Sequence, residues 1–215
     1  MLDCHCHILP AVDDGAADLQ QSIAMLQQAK QLGITQIVAT PHMKRPPLNW
    51  TAIEEAYARL KLEAEQLEVQ LQLGCELYAP LLSELGFDEI HQFCIRGTNR
   101  LLLEFHPQYL PDNLPAYFNH IFSRSIVPIL AHPERYSIVQ SNPAILREIV
   151  QMGCYLQING RSMTANPFDK CSNTAKKLLK LYPSAFLSSD AHCIEHYAGL
   201  AKAQQKLNRM RRDLP

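Results

Sequence analysis

At the head of the chain Asp3, His5 and His7 alternate with Leu2, Cys4 and Cys6. On an extended strand alternate side chains share a face, so the carboxylate and both imidazoles point one way and the thiols the other. Two imidazoles on one strand face form a metal-chelating pair. A buried histidine beside an aspartate is also a common structural arrangement, so the rest of the chain has to decide.

The other reactive residues follow a rule of position. Asp13 and Asp14 precede Gly15, and His42 closes Thr40-Pro41-His42. Glu76 follows Gly74-Cys75, Glu104 ends an apolar run, and His132 opens His132-Pro133-Glu134-Arg135. Asn159 ends a later run, and Asp190 and His192 flank Ala191. The elements that must position them are short apolar runs expected as strands at 1–7, 34–40, 69–75, 100–105, 126–131, 154–158 and 185–189. Amphipathic stretches at 17–32, 51–67, 112–124, 142–152, 173–182 and 195–211 are expected as the intervening helices, with Asn142-Pro143 as cap and first turn of the fourth. Strand and helix in alternation predict an α/β fold with a parallel sheet. Seven βα units fit a distorted (β/α)7 barrel in one domain over 1–215, although an open doubly wound sheet gives the same string.

In a parallel barrel the chemistry sits at the carboxyl ends of the strands. Five of the nine histidines and four carboxylates fall there: His5, His7, Asp14, His42, Glu76, Glu104, His132, Asp190 and His192. Held together and desolvated without cations, such a cluster would push carboxylate pKa values up at a cost of several kcal/mol. Divalent ions remove that cost. Imidazole and carboxylate donors without thiolate suit Mn, Fe, Co or Zn, and bridging carboxylates allow more than one ion. These nine donors are too many for a single ion and enough for two or three.

Twenty Lys+Arg against 21 Asp+Glu give a net charge of −1, which argues against wrapping nucleic acid. No stretch of about 18 apolar residues exists and no basic leader with an apolar centre, so a cytoplasmic protein without membrane insertion is expected. Seven scattered cysteines lacking any C-x-x-C pair suit reduced thiols. Cys94 and Arg100 match the C-x5-R spacing of cysteine-dependent tyrosine phosphatases, but Arg100 opens a strand instead of a phosphate-cradling loop before a helix.

Six segments, DCHCHILPAVDDG (3–15), ATPH (39–42), GCE (74–76), LLLEF (101–105), AHPERY (131–136) and SDAH (189–192), resemble in order and spacing the polymerase and histidinol phosphatase superfamily. Within it, the resemblance is to the bacterial tyrosine phosphatases encoded with capsule and exopolysaccharide genes. That resemblance implies a distorted (β/α)7 barrel with a trinuclear centre, often manganese, that hydrolyses phosphotyrosine. It assigns the same nine ligands, gives Arg135 to the phosphate, and makes Asp3 an orienting partner of a ligand histidine. The expected reaction is in-line attack on phosphorus by a metal-bridged hydroxide. Coordination lowers the pKa of water from about 15.7 to near 7, worth roughly 12 kcal/mol.

The resemblance is incomplete at two positions. A second histidine common after TPH is Met43 here, and an arginine common five residues past the SDAH histidine is Tyr197. Arg161, Lys44 or Arg45 are the candidate replacements in substrate binding, with His196 a candidate proton donor and Trp50 a candidate stacking surface near Pro46 and Pro47. The implied partner is the tyrosine-rich tail of a membrane-associated autokinase. Two other readings compete: a phosphatase of a small ester such as histidinol phosphate, or a nuclease, on the same centre; and a metal protein that recognises a phosphorylated partner without turnover.

Overall fold

β-branched and leucine-rich runs flanked by helix caps fold as parallel strands, because each must cross over a helix before pairing with the next. The computed structural model describes residues 1–44, 49–166 and 168–212. Its strands are β1 (Leu2–Cys6), β2 (Gln36–Ala39), β3 (His42–Met43), β4 (Gln70–Leu73), β5 (Glu76–Tyr78), β6 (Arg100–Glu104), β7 (Val127–Ala131), β8 (Tyr155–Asn159) and β9 (Phe186–Ser188). The helices are α1 (Leu19–Gln31), α2 (Trp50–Gln66), α3 (Leu81–Leu85), α4 (Leu114–Phe122), α5 (Ser137–Ser141), α6 (Arg147–Gln151), α7 (Gly160–Thr164), α8 (Lys170–Leu181) and α9 (His196–Arg212).

All strand pairs are parallel, in two runs ordered β1-β2-β4 and β3-β5-β6-β7-β8-β9. The expected strands at 34–40 and 69–75 are each jointed. Pro41 has no N–H for a ladder, and the Thr40 N–H turns to the Cys6 carbonyl at 2.9 Å. Gly74 forms the second joint, where an added Cβ would lie 2.9 Å from Ile95 Cγ1. β2 with β3, and β4 with β5, therefore act as single bent staves that carry the ring from one run to the other. The remaining gap, between β9 and β1, is spanned by a Cys6–Ala191 bridge, with the His7 N–H on the Ala191 carbonyl and the Asp190 N–H on the His5 carbonyl, both at 2.8 Å. This is the distorted seven-stave barrel.

The larger core lies between barrel wall and helices, and includes Leu26, Leu101, Leu103, Phe118 and Leu178. Val38, Ile95, Leu102, Ile129 and Ala131 form a separate apolar cluster inside the ring. Leu102 points inward while Leu101 and Leu103 point to the helices, as strand alternation requires. Asp18, Asn49, Asn113 and Asp169 cap α1, α2, α4 and α8 through their side chains. The helix expected at 142–152 is not continuous. Asn142 makes no side-chain cap, and a 3₁₀ turn over Pro143–Leu146 precedes α6, burying Leu146 and Ile149 together.

Candidate metal centre

β1 ends by pointing His5 and His7 into the mouth of the barrel with their Nε2 atoms 3.2 Å apart. The outer nitrogen of each ring is tied down: His5 Nδ1 donates to Gln157 Oε1 at 2.8 Å, and His7 Nδ1 to Asp13 Oδ2 at 2.7 Å. That leaves both Nε2 atoms for the centre. Glu76, first residue of β5 and paired in register with His42, sits between the rings. Its Oε2 is 3.4 Å from His5 Nε2, 3.5 Å from His7 Nε2 and 2.8 Å from His42 Nδ1, and its Oε1 is 2.8 Å from His132 Nε2. Asp190 Oδ1 stands 3.5 and 3.4 Å from the Nε2 atoms of His5 and His7. Asp14 Oδ1 is 3.4 Å from both His42 Nε2 and His192 Nε2, and Glu104 reaches His132 Nε2 at 3.7 Å.

The nine predicted residues thus converge, and they sort into four overlapping groups: His7-Asp14-His42-His192, His5-His7-Asp190, His5-Glu76-His132 and His42-Glu76-Glu104. Within each group the donor atoms lie within 4.8 Å of one another. A carboxylate can serve two ions through its two oxygens, whereas the Nε2 lone pair of a histidine serves one. His5 and His7 each belong to two groups through Nε2, so not every group can be filled at once, whereas His42 turns Nε2 to Asp14 and Nδ1 to Glu76.

Electrostatics test whether cations fit here. Burial would depress the His5 and His7 imidazoles, yet facing carboxylates reverse the effect: Glu76 and Asp190 lift His5 to about 9, and Asp13 and Asp190 lift His7 to about 10. Burial works against the charge of Glu76 and Asp190, but the surrounding histidines hold both carboxyls below the usual range. The mouth is therefore a field that draws positive charge. His42 Nδ1 and Glu76 Oε2 face one another at 2.8 Å without forming a hydrogen bond, and His132 Nδ1 is also buried and unbonded. Orphaned buried groups cost about 1–3 kcal/mol each, and coordination is the chemistry that would satisfy them. Divalent ions fit the donors present.

Two of the nine candidate ligands sit in left-handed backbone, His132 at φ 31° and Asp190 at φ 50°. Such strain in non-glycine residues persists where surrounding bonds enforce it, and it gathers at functional sites. His132 N–H is held by Gln157 Oε1 at 3.3 Å, and Asp190 Oδ2 by Asn159 Nδ2 at 2.6 Å.

Lys44, Arg135, Arg161 and His196 line an open cleft of about 550 Å3 together with His42, His132, Asp190 and His192. Arg135 Nη1 lies 3.5 Å from Asp190 Oδ2 and its side chain remains 46% exposed. Lys44 Nζ is 3.4 Å from Glu104 Oε2. Arg161 Nη1 donates to His196 Nε2 at 2.8 Å. Burial, then the positive charge of Arg161, pushes the His196 pKa down, so its ring is a neutral acceptor. Arg45, Pro46 and Pro47 lie outside the described residues.

Several placements differ from the sequence reading. Asp3 touches no imidazole. Its carboxylate accepts from Ser188 Oγ and the Ser189 N–H at 2.8 Å and from Ser189 Oγ at 2.5 Å, fastening β9 to β1. Burial raises its pKa despite these donors. The orienting role belongs to Asp13 and Gln157. Trp50 packs on Phe93 with ring centroids 5.7 Å apart, away from the cleft. Tyr197 is fully buried in the core, as is Met43. The C-x5-R pair is spatially inert: burial pushes the Cys94 thiol up to about 11, and neither Cys94 nor Arg100 lines the cleft. Asp13 was legible as a strand-end carboxylate; Gln157 carried no signal, because its partner lies 152 residues away.

Residues 1–212 match the family model of capsular polysaccharide synthesis, CpsB/CapC. The chain is 31% identical over 204 residues to the tyrosine-protein phosphatase YwqE of Bacillus subtilis, covering 91% of this chain and 78% of that protein. It is 28% identical over 206 residues to the tyrosine-protein phosphatase CpsB of Streptococcus agalactiae, covering 91% and 84%. A crystal structure from work on YwqE of Bacillus subtilis and CpsB of Streptococcus pneumoniae, called unique metal-dependent tyrosine phosphatases, superposes with a TM-score of 0.83 at 29% identity, covering 96% of this chain and 87% of that one.

Proposed function

Because the chain belongs to the CpsB/CapC family of capsular polysaccharide synthesis, we propose that it is a metal-dependent protein-tyrosine phosphatase acting as one domain. The observation that carries this reading is the convergence of His5, His7, Asp14, His42, Glu76, Glu104, His132, Asp190 and His192 on an open cleft whose rim holds Arg135. These residues would hold two or three divalent ions, manganese foremost, since the donors are imidazole and carboxylate without thiolate. When bound, such ions supply Lewis-acid charge to phosphoryl oxygens and water acidified from about 15.7 toward 7.

The chain's own residues do the rest. Arg135 offers a forked, permanent cation to the non-bridging oxygens, its Nη1 only loosely engaged by Asp190 Oδ2 at 3.5 Å. Arg161 and Lys44 approach the same cleft from other sides, and Arg45 belongs to the Lys44 segment. His196 accepts from Arg161 through Nε2, and its lowered pKa disfavours the imidazolium that would donate a proton. A tyrosine leaving group needs none, its pKa being about 10. Asp14, with a side chain 69% exposed at the rim, leaves room for a residue on a peptide, whereas a small ester would be served by a closed pocket.

The proposed substrate is the tyrosine-rich tail of a membrane-associated autokinase, reached from the cytoplasm. Seven free cysteines support a reducing compartment. Among the described residues no helix is long and apolar enough to cross a membrane. The test is elemental analysis of the purified protein combined with turnover of a phosphotyrosine peptide beside histidinol phosphate. Hydrolysis of the peptide, abolished by chelator and restored by manganese, is expected; faster turnover of histidinol phosphate would refute the assignment.

A further inference from the structure

Gln157 and Asn159 are alternate residues of β8, so both amides face the inside of the barrel, and both are buried. Amide orientation is often ambiguous, but here the neighbours fix it. Ionised Asp190 only accepts, so the group 2.6 Å from its Oδ2 is Asn159 Nδ2. Asn159 Oδ1 must then accept, and it takes Gln157 Nε2 at 2.9 Å. Gln157 Oε1 is left to accept from His5 Nδ1 at 2.8 Å and from the His132 N–H at 3.3 Å. With its proton on Nδ1, a neutral His5 has its lone pair on Nε2, the atom that faces His7, Glu76 and Asp190.

We infer that Gln157 and Asn159 form an amide relay through which the carboxylate of Asp190 sets the tautomer of His5, presetting two ligands on opposite sides of the barrel seam for metal. The inference rests on the metal-centre reading above. Both residues act through other groups and are positioning residues. Each link has one polarity, so breaking any link frees the next amide to turn and lets His5 present Nδ1–H or Nε2–H indifferently. The same chain holds the left-handed backbone of His132. Glu134 Oε1 pins the far side by accepting the Asn159 N–H at 2.9 Å.

The test uses the full chain, stripped by chelator and titrated with Co(II), following the visible absorption of the bound ion. Asn159→Ala lies on the cleft wall and spares the core; Gln157→Leu removes the central link. Each is expected to weaken the tightest Co(II) binding about 10–100-fold, the effect of losing an orienting partner. The double variant should lose no more than the worse single one, because one relay is broken once. Asn159 does not touch His5, so nitrogen-15 resonances of the His5 ring in the Zn-loaded protein distinguish a relay from local packing. They should move in Asn159→Ala. An unmoved His5 signal, an unchanged Co(II) affinity, or losses that add in the double variant would overturn the relay. If Gln157→Leu does not fold, Asn159→Ala decides alone. A parent protein that takes up no Co(II) would sink the metal centre and the relay with it, whereas uptake by the parent with indifferent variants sinks the relay only.

Discussion

Arg135 and Asp190 meet at the long limit of a hydrogen bond, 3.5 Å, with the guanidinium half in solvent. Exposed pairs of this kind contribute little to stability, so the arginine is free to turn toward a phosphoryl group. Arg135→Ala is therefore expected to leave folding unchanged while cutting kcat/KM on p-nitrophenyl phosphate by about 100-fold, the usual cost of one preorganised donor to developing charge. Arg135→Lys should recover only part, since an ammonium cannot fork across two oxygens. Cys94 gives the opposite expectation. Its thiol is buried with a pKa near 11, and Cys94→Ser should retain both turnover and metal content. Lost activity with metals intact would restore the cysteine mechanism.

Short elements, more than long ones, set the precision of the centre. β3 and β5 together supply His42 and Glu76 as directly paired residues, and the joints at Pro41 and Gly74 let those strands step away from the staves below. Gly15 is a second constraint: a Cβ there would collide with the carbonyl oxygen of His7. Gly15→Ala should displace the Asp13–Asp14 loop, lowering stability by about 1–3 kcal/mol in denaturant unfolding and reducing bound metal. At Gly160 a Cβ would come within 2.6 Å of Leu200 Cα, so α7 packs on the backbone of α9 and carries Arg161 over Gly199 to His196. Strand ends and ligand types were legible in the sequence because apolar periodicity and strand-end polarity are local signals. The joints were less so, since Thr40-Pro41 and Gly74-Cys75 read as ordinary ends of one run. Asp3 misled because the β1 ladder is irregular between Asp3 and Cys6, which breaks simple alternation, and its carboxylate is taken up by Ser188 and Ser189.

The ring of staves has an unbroken ladder except at β1 and β9, where one bridge, two main-chain hydrogen bonds and the contacts of Ser188 and Ser189 with Asp3, Cys4 and His5 join residues far apart in the chain. His5 and His7 stand on one side of that seam, Asp190 and His192 on the other. Ions held between them would bind only the closed barrel, and a ligand at about 100 times its Kd stabilises by about 2.7 kcal/mol. Chelation should therefore lower Tm by about 5–10 °C for a chain of this length. Amide exchange should rise first at β1 and β9; exchange rising evenly across all strands would argue that the seam is not the weak line. The seam also sets an order of events during synthesis. His5 and His7 leave the ribosome before Asp190 and His192, which lie on the far side of the seam and follow every other strand. Until the ninth strand has emerged, the nascent chain carries an incomplete set of the nine candidate donors. A product truncated before the ninth strand would lack Asp190 and His192 and is expected to bind Co(II) more weakly than the full chain.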